Sequence, residues 1–406
     1  MSFNIALTGL DAANEDLSVT SNNLANAATV GFKGSRTEFS DLFASTQTGV
    51  SATAVGNGVA VSDVSQQFTQ GNVETTGNNL DLAVSGNGFF IVSNNGALNY
   101  TRDGEFQLNS QGQVVTAQGY ALQVYPPLAN GGFNTGGLAN LTLTSSESAP
   151  KATTTANITA NLPANATQPP DAPFSATDPN SYNNTTSLTV YDSLGAAHTA
   201  TLYFIKGAVA NDWTTQLAVD GNLVGGPQAL DYSSNGALIT PATGQIAFPA
   251  YTPATGAAAM NMTFNFSNTT QYGGNFGVTA VQQNGYTTGQ LTGINISSTG
   301  VVQAQFTNGN SVNLGQIALA NFPDSQGLQQ LGNSSWSATN ASGAAVNGVA
   351  GSSGYGSIAS GSLEESNVDT TAALVDMITA ERNFQANAQM VQTQDQVTQS
   401  IINIRG

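Results

Sequence analysis

A single histidine, His198, stands close after Asp192 and Ser193, and these three side-chain types together can build a nucleophilic triad. That chemistry needs an imidazole that takes the serine proton while a carboxylate orients the ring. Asp192 and Ser193, however, share one tight turn, Asp192-Ser193-Leu194-Gly195, rather than approaching the histidine from two sides. Glu364-Glu365 offers the paired carboxylates of glycoside hydrolysis, yet it stands just before a helical pattern, where acidic side chains favour the positive end of the helix dipole. Gly86-Asn87-Gly88 precedes a strand instead of opening a helix, so it lacks the context of a phosphate-cradling loop. The Asn-x-Thr/Ser sequons at Asn140, Asn157, Asn165 and Asn268 follow from an Asn- and Thr-rich composition. With no cysteine, disulfides and thiolate ligands are excluded. The expectation is a protein with no catalytic residue, no metal and no cofactor, hence not an enzyme.

The charge balance narrows the partners. Charged residues make up 8% of the 406, and the formal net charge is −17. Only Lys33, Arg36, Arg102, Lys151, Lys206, Arg382 and Arg405 are basic, and they do not cluster. Nucleic acid and anionic membrane surfaces both require clustered cations, so neither is an expected partner. No run of about 20 apolar residues spans a bilayer. The N-terminus lacks the basic and apolar regions of a cleaved signal, while the Lys-poor, thiol-free composition suits an extracellular surface. Export without cleavage reconciles the two.

The chain ends carry the strongest pattern. Phe3, Leu10, Leu17 and Leu24 recur every seven residues, with Leu7 and Ala13 at alternate positions. Met377, Phe384 and Val391 repeat the spacing near the other end, accompanied by Ala380, Ala388 and Ile402. Such a repeat is a helix seam that must be buried against other helices. All 13 prolines fall between Pro126 and Pro323, so neither end holds a helix breaker. The first helix is expected over roughly Phe3 to Ala28, and the second from an N-cap near Ser366 to Ile404. Two helices alone have little to bury such stripes on except copies of themselves. The seam residues Phe3, Leu7, Leu10, Leu17, Leu24, Met377, Phe384, Val391 and Ile402 are therefore expected to pack between subunits.

Between the ends the pattern is β. Short apolar runs alternate with Asn94-Asn95-Gly96, Asp103-Gly104, Gln111-Gly112, Gln118-Gly119 and Asn308-Gly309, the residue pairs that hairpin turns require. Leu188–Tyr191 and Thr199–Ile205 read as strands on either side of the turn at Asp192. From Ser35 to about Val64, past a small apolar patch at Phe39, Leu42 and Phe43, the signal is that of an extended connector. The Gly/Ser-rich span from Ser342 to Gly361 reads as extended or flexible. The expected fold class is α+β and multidomain: long terminal α-helices pairing as a coiled-coil-like core, with two nested, mainly antiparallel β domains. Residues 1–30 and 364–406 form the helical core, 31–70 and 342–363 the connector, 71–144 and 285–341 a first, split β domain, and 145–284 an inserted outer β domain.

Three blocks resemble one family. Asn22-Asn23-Leu24-Ala25-Asn26-Ala27-Ala28-Thr29-Val30-Gly31-Phe32-Lys33 is similar to the N-terminal signature of bacterial flagellar rod, hook and hook-associated axial proteins. Gly86–Val92 with Tyr100–Gly104 resembles their shared β domain, and Leu374–Ala388 their C-terminal signature. Thr189–Thr199, which contains Asp192, Leu194, Gly195 and His198, followed by Leu202-Tyr203-Phe204, resembles the outer domain found in hook proteins. Together with Asn26, Gly31, Phe32 and Lys33, these four are the signature positions.

The resemblance implies a subunit of the curved tube between motor and filament, a flexible universal joint that carries torque. It also implies export through the flagellar type III apparatus and assembly with a hook cap protein, a distal rod protein and a hook–filament junction protein. A distal rod or junction subunit is the nearest alternative. A secreted β-rich adhesin, or a glycan-degrading enzyme, is the distant one.

Overall fold

A computed structural model describes residues 2–42, 56–143 and 147–404; Phe43 and Arg405 lie outside these, as does the side chain of Ile402. The chain is mostly β, with one long helix at each end, and divides into two units. The first comprises Met1–Thr144, Ile294–Ala304 and Val312–Gly406. The second, Ser145–Gly293 with Gln305–Ser311, is inserted in sequence into the first.

Helix α1 spans Ser2–Ala25 and α2 spans Thr370–Ile404. The first ends before Ala28 because its last turn tightens: the Asn26 N–H is shared between the Asn22 and Asn23 carbonyls, and the Ala27 N–H reaches back only to Leu24. The second starts later than the sequence suggests. Asp369 is its cap, accepting the N–H groups of Thr371 (2.8 Å) and Ala372 (3.1 Å), whereas the Ser366 hydroxyl closes a small turn with the Val368 N–H. Asn367 explains the delay. Its side chain donates to the Gln67 carbonyl (2.6 Å) and accepts the Gly34 N–H (2.8 Å), which holds this backbone against the connector instead of releasing it into a helix.

The two stretches expected as connectors are more ordered than their composition suggests. Ser35–Asp41 pairs antiparallel with Val59–Gln66, and this ribbon packs on α1. Its pattern was weak because almost every side chain on it is exposed or half-exposed; Thr37 is the buried one. The Gly/Ser-rich span carries Val346–Val349 and Ser357–Ser360, with Ser362–Glu364 following, and these pair with Ser311–Asn321, Leu82–Ser85 and Val73–Thr75 respectively. Its small residues serve close approach rather than flexibility, since a Cβ at Gly348 would collide with the Tyr355 ring and one at Gly356 with the Ser85 carbonyl.

In the first unit, the strands follow the order Ser311–Asn321, Ala121–Tyr125, Phe89–Asn94, Ala97–Thr101, Ser335–Ser337, Gln329–Gly332. The run Phe89-Phe90-Ile91-Val92 is uninterrupted because the sheet is covered on both faces. Phe90 and Val92 enter one core with Leu82, Phe106 and Leu122, while Phe89 and Ile91 enter another with Tyr100, Phe322 and Trp336. Asn95 (φ 51°) and Gly96 (φ 97°) make the two-residue turn that joins the central hairpin.

In the second unit, five antiparallel strands run in sequence order: Asn184–Tyr191, Ala197–Lys206, Asp212–Val219, Asn222–Tyr232 and Leu238–Thr240. A second sheet centres on Thr155–Pro163, which pairs antiparallel with Gly277–Gln283 and parallel with two short strands, Thr263–Asn265 and Thr270–Tyr272. Alternate residues of both sheets, among them Ile158, Leu162, Leu202, Phe204, Trp213, Phe264 and Phe266, share one core.

Candidate functional site

Helices α1 and α2 pack against each other, and the residues buried there are small. Ala6, Ala13 and Thr20 on α1 and Ala373 and Ala380 on α2 are buried, and Gly9 lies so close to Asn387 that a Cβ would sit 2.8 Å from its Oδ1. The large heptad residues flank this seam. Leu10, Leu17, Leu24, Met377, Phe384 and Val391 are half-buried, whereas Phe3 and Leu7 remain 46% and 43% exposed. Further exposed apolar side chains on α2, namely Leu374, Val375, Ile378, Met390 and Val397, were absent from the heptad reading because they lie off its seam. The series Ala6, Ala13, Thr20 also repeats every seven residues and was the available signal for the inner contact.

At the base of the helices three charges meet away from water. Glu364, 0% exposed, accepts from Lys33 Nζ at 2.6 Å and from Arg102 at 3.0 Å, and its Oε1 also accepts the Gly71 N–H. Lys33 Nζ donates to the Thr69 carbonyl, and Arg102 donates to the Gly86 carbonyl while its guanidinium lies 5.3 Å above the Phe89 ring. Burial pulls the Lys33 pKa down, against the opposing pull of Glu364. Glu364 ends a strand and stands six residues before Thr370, the first residue of α2, so its role is this ion cluster rather than the helix dipole. The Glu364 carbonyl also accepts the N–H of Gly31. Gly31 sits at φ 65°, with room for no side chain: a Cβ would lie 2.5 Å from the Asp103 nitrogen. Asn26 stabilises the preceding turn by donating to the Asn22 carbonyl and accepting from the Thr29 hydroxyl, and Phe32 is half-buried beside Lys33.

His198, in the second unit, is held by two carboxylates. Nδ1 meets Asp220 Oδ2 at 2.6 Å and Nε2 meets Asp192 Oδ2 at 3.2 Å. Asp192 also accepts the Thr255 hydroxyl and the N–H groups of Leu194 and Ala196. Burial disfavours its charge, but these hydrogen bonds, together with His198, outweigh it and hold the pKa at about 2. Burial likewise pulls His198 down, and the bonds to Asp220 and Asp192 overcome it, so the pKa lies above the ordinary histidine value. With both ring nitrogens engaged, the imidazole has no position left to accept a serine proton, and the Ser193 hydroxyl accepts the Ala258 N–H instead. The arrangement is a structural tie. Gly195 (φ 83°) shapes the turn against Pro150 and Thr288, and Leu194 is exposed at its tip. Asp220 was missed in the sequence; its hairpin pair Asp220-Gly221 was the only local mark of it.

Comparison with known proteins gives a consistent result. Residues 3–33 match the flagella basal body rod protein family, 83–168 the flagellar hook protein FlgE/F/G D1 domain, 161–286 the flagellar basal body protein FlaE D2 domain, and 359–404 the C-terminal region of flagellar basal body rod FlgEFG proteins. The chain is 39% identical to the flagellar hook protein FlgE of Escherichia coli K12 and 40% identical to that of Salmonella typhimurium LT2, covering 100% of both chains in each case. The crystal structure of flagellar hook protein FlgE2 from Helicobacter pylori shares the fold, at TM-score 0.52 and 12% identity over 70% of this chain and 98% of that one. These matches run through both terminal helices and both β units, and the chain belongs to the flagellar hook protein family.

Proposed function

We propose that this chain is the structural subunit of a flagellar hook, and that its copies polymerise into a flexible, curved helical tube that passes motor torque to the filament. The observation that carries this reading is the uncovered apolar surface of the terminal helices: Phe3 and Leu7 on α1, and Leu374, Val375, Ile378, Met390 and Val397 on α2. Fully burying a Leu or Phe contributes roughly 1.5–3 kcal/mol, so each of these half-exposed side chains gains about 1 kcal/mol when a neighbouring copy covers it. Summed over several residues and many copies, that exceeds the screened repulsion between acidic subunits. In this reading the heptad residues, from Phe3 to Leu24 and from Met377 to Ile402, pack as a coiled-coil-like core between subunits. The four-part domain division set out above belongs to the same proposal.

Bending requires contacts that slide. The inserted domain suits sliding contacts between neighbouring copies, since it carries few cations that could lock onto a neighbour, and one of them, Lys206, has its Nζ already taken up by three carbonyls. By kinship, the subunit leaves the cell uncleaved through the flagellar type III apparatus and meets cap, distal rod and hook–filament junction proteins.

Electron microscopy of the purified full chain in moderate salt tests the reading. Tubes are expected from the wild type. Phe3→Asp, at an exposed position, and Leu17→Asp should leave both β units folded, as reported by Trp336 and Trp213 fluorescence, yet form no tubes. Variants that assemble at the wild-type concentration would remove the helices from the subunit contact.

A further inference from the structure

Between α1, the start of α2 and the adjoining ribbon lies a cleft of about 440 Å³ lined by Asp16, Thr37 and Asp376. Among the described residues neither carboxylate accepts a hydrogen bond or an ion pair, and Thr37, only 6% exposed, has a hydroxyl with no partner. Arg36 also lines the cleft, but it is bound to Glu38 at 2.7 Å. Two unpaired acids and an orphaned hydroxyl call for a cation with several donors. No group of three acidic or histidine side chains among the described residues is placed to hold a metal ion, which favours a guanidinium.

A guanidinium comes only from arginine, and the chain has four. Arg102 is buried in bonds of its own, Arg36 is paired with Glu38, and Arg405 lies outside the described residues. Arg382 on α2 is exposed and has no ion-pair partner among the described residues. It continues the exposed stripe Val375, Ile378, Arg382, whose three- and four-residue spacing fixes one helix face, on the side away from the buried Ala373 and Ala380. A guanidinium on that face points away from its own α1.

We infer that Arg382 of one copy inserts its guanidinium into the Asp16–Asp376 cleft of the next, with Val375 and Ile378 lying along the same contact. This rests on the self-assembly reading and adds the charge pair that sets its register. Donor face and acceptor cleft are different surfaces, so the contact is head-to-tail and propagates as an open helical array instead of closing a dimer.

The absence of native cysteine makes a direct test clean. Full-length Arg382→Cys and Asp376→Cys chains are mixed, assembled and treated with a bis-maleimide that spans the length of an arginine–aspartate pair, since a direct disulfide needs Cα atoms within about 7 Å. A crosslinked pair should form in the mixture and in neither chain alone. Separately, Arg382→Asp should raise the critical concentration for assembly about tenfold at low salt, and adding Asp376→Arg should restore it. Both positions are exposed, so circular dichroism should match the wild type. Tubes without the crosslink, or Arg382→Asp tubes at wild-type concentration, overturn this contact and leave the subunit reading standing. Wild-type assembly that requires a divalent cation, with Arg382→Asp unaffected, also overturns it and gives the cleft to a metal. Absence of tubes in the wild type sinks the subunit reading itself.

Discussion

Replacing Glu364 with Gln keeps the shape of the side chain and removes its charge. The buried cluster then changes from one carboxylate with two cations, net +1, to two cations alone, net +2, with Lys33 and Arg102 facing each other out of water. Breaking a buried ion pair by removing one partner costs roughly 3–5 kcal/mol, because the remaining charge is left uncompensated. Lys33→Met acts in the opposite sense: it leaves Glu364 with Arg102, net zero, and removes an ammonium that burial already disfavours. Its cost should stay within about 1 kcal/mol. The two tryptophans make the measurement specific, since Trp336 lies in a core of the first unit and Trp213 in the core of the second. In a Trp213→Phe background, Trp336 fluorescence during urea unfolding follows the first unit alone. The expected order of stability is wild type, then Lys33→Met, with Glu364→Gln far below, and the Glu364→Gln/Lys33→Met double variant recovering part of the loss. At 2–4 °C per kcal/mol for a unit of this size, Glu364→Gln should lower the melting temperature by roughly 10 °C. A Glu364→Gln loss under about 1 kcal/mol, or a Lys33→Met loss as large as that of Glu364→Gln, would refute the charge argument.

Stability of the second unit should depend on pH through His198. Its folded pKa lies above the ordinary 6.5, so its contribution is complete below about pH 6.5 and is lost as pH rises through the folded value. Trp213 fluorescence in a Trp336→Phe chain should show this slope, and His198→Asn should flatten it; an unchanged slope in His198→Asn places the titration elsewhere. On the acid side, Asp192 contributes fully above its ordinary 3.8, and that contribution is lost as pH falls toward about 2. Asp369→Ala should cost about 1 kcal/mol and reduce helicity at the start of α2, while Ser366→Ala should change little; the reverse order in circular dichroism would return the cap to Ser366.

The sequence determined what neighbouring residues decide among themselves. Asn95-Gly96 must adopt positive φ, so the hairpin that it closes was legible, as were the strands around Asp192 and two long helices in seven-residue patterns. Even the double-faced strand Phe89–Val92 announced itself as an unbroken apolar run. Tertiary structure decided which face met which neighbour. Heptads mark Leu10 and Leu17 as seam residues, yet the α1–α2 contact falls on Ala6, Gly9, Ala13 and Thr20, because close backbone approach rewards small side chains that a hydrophobicity pattern underrates. Lys33 and Glu364 are 331 residues apart, and no local rule brings them to 2.6 Å. Asp220 looked like an ordinary turn residue until the neighbouring strand carried His198 to it. Strands at Val346–Val349 and Ser357–Ser360 read as linker because their pairing energy comes from partners elsewhere in the chain. Local preferences are written residue by residue, whereas the choice among possible partners exists only once the whole chain has closed around them.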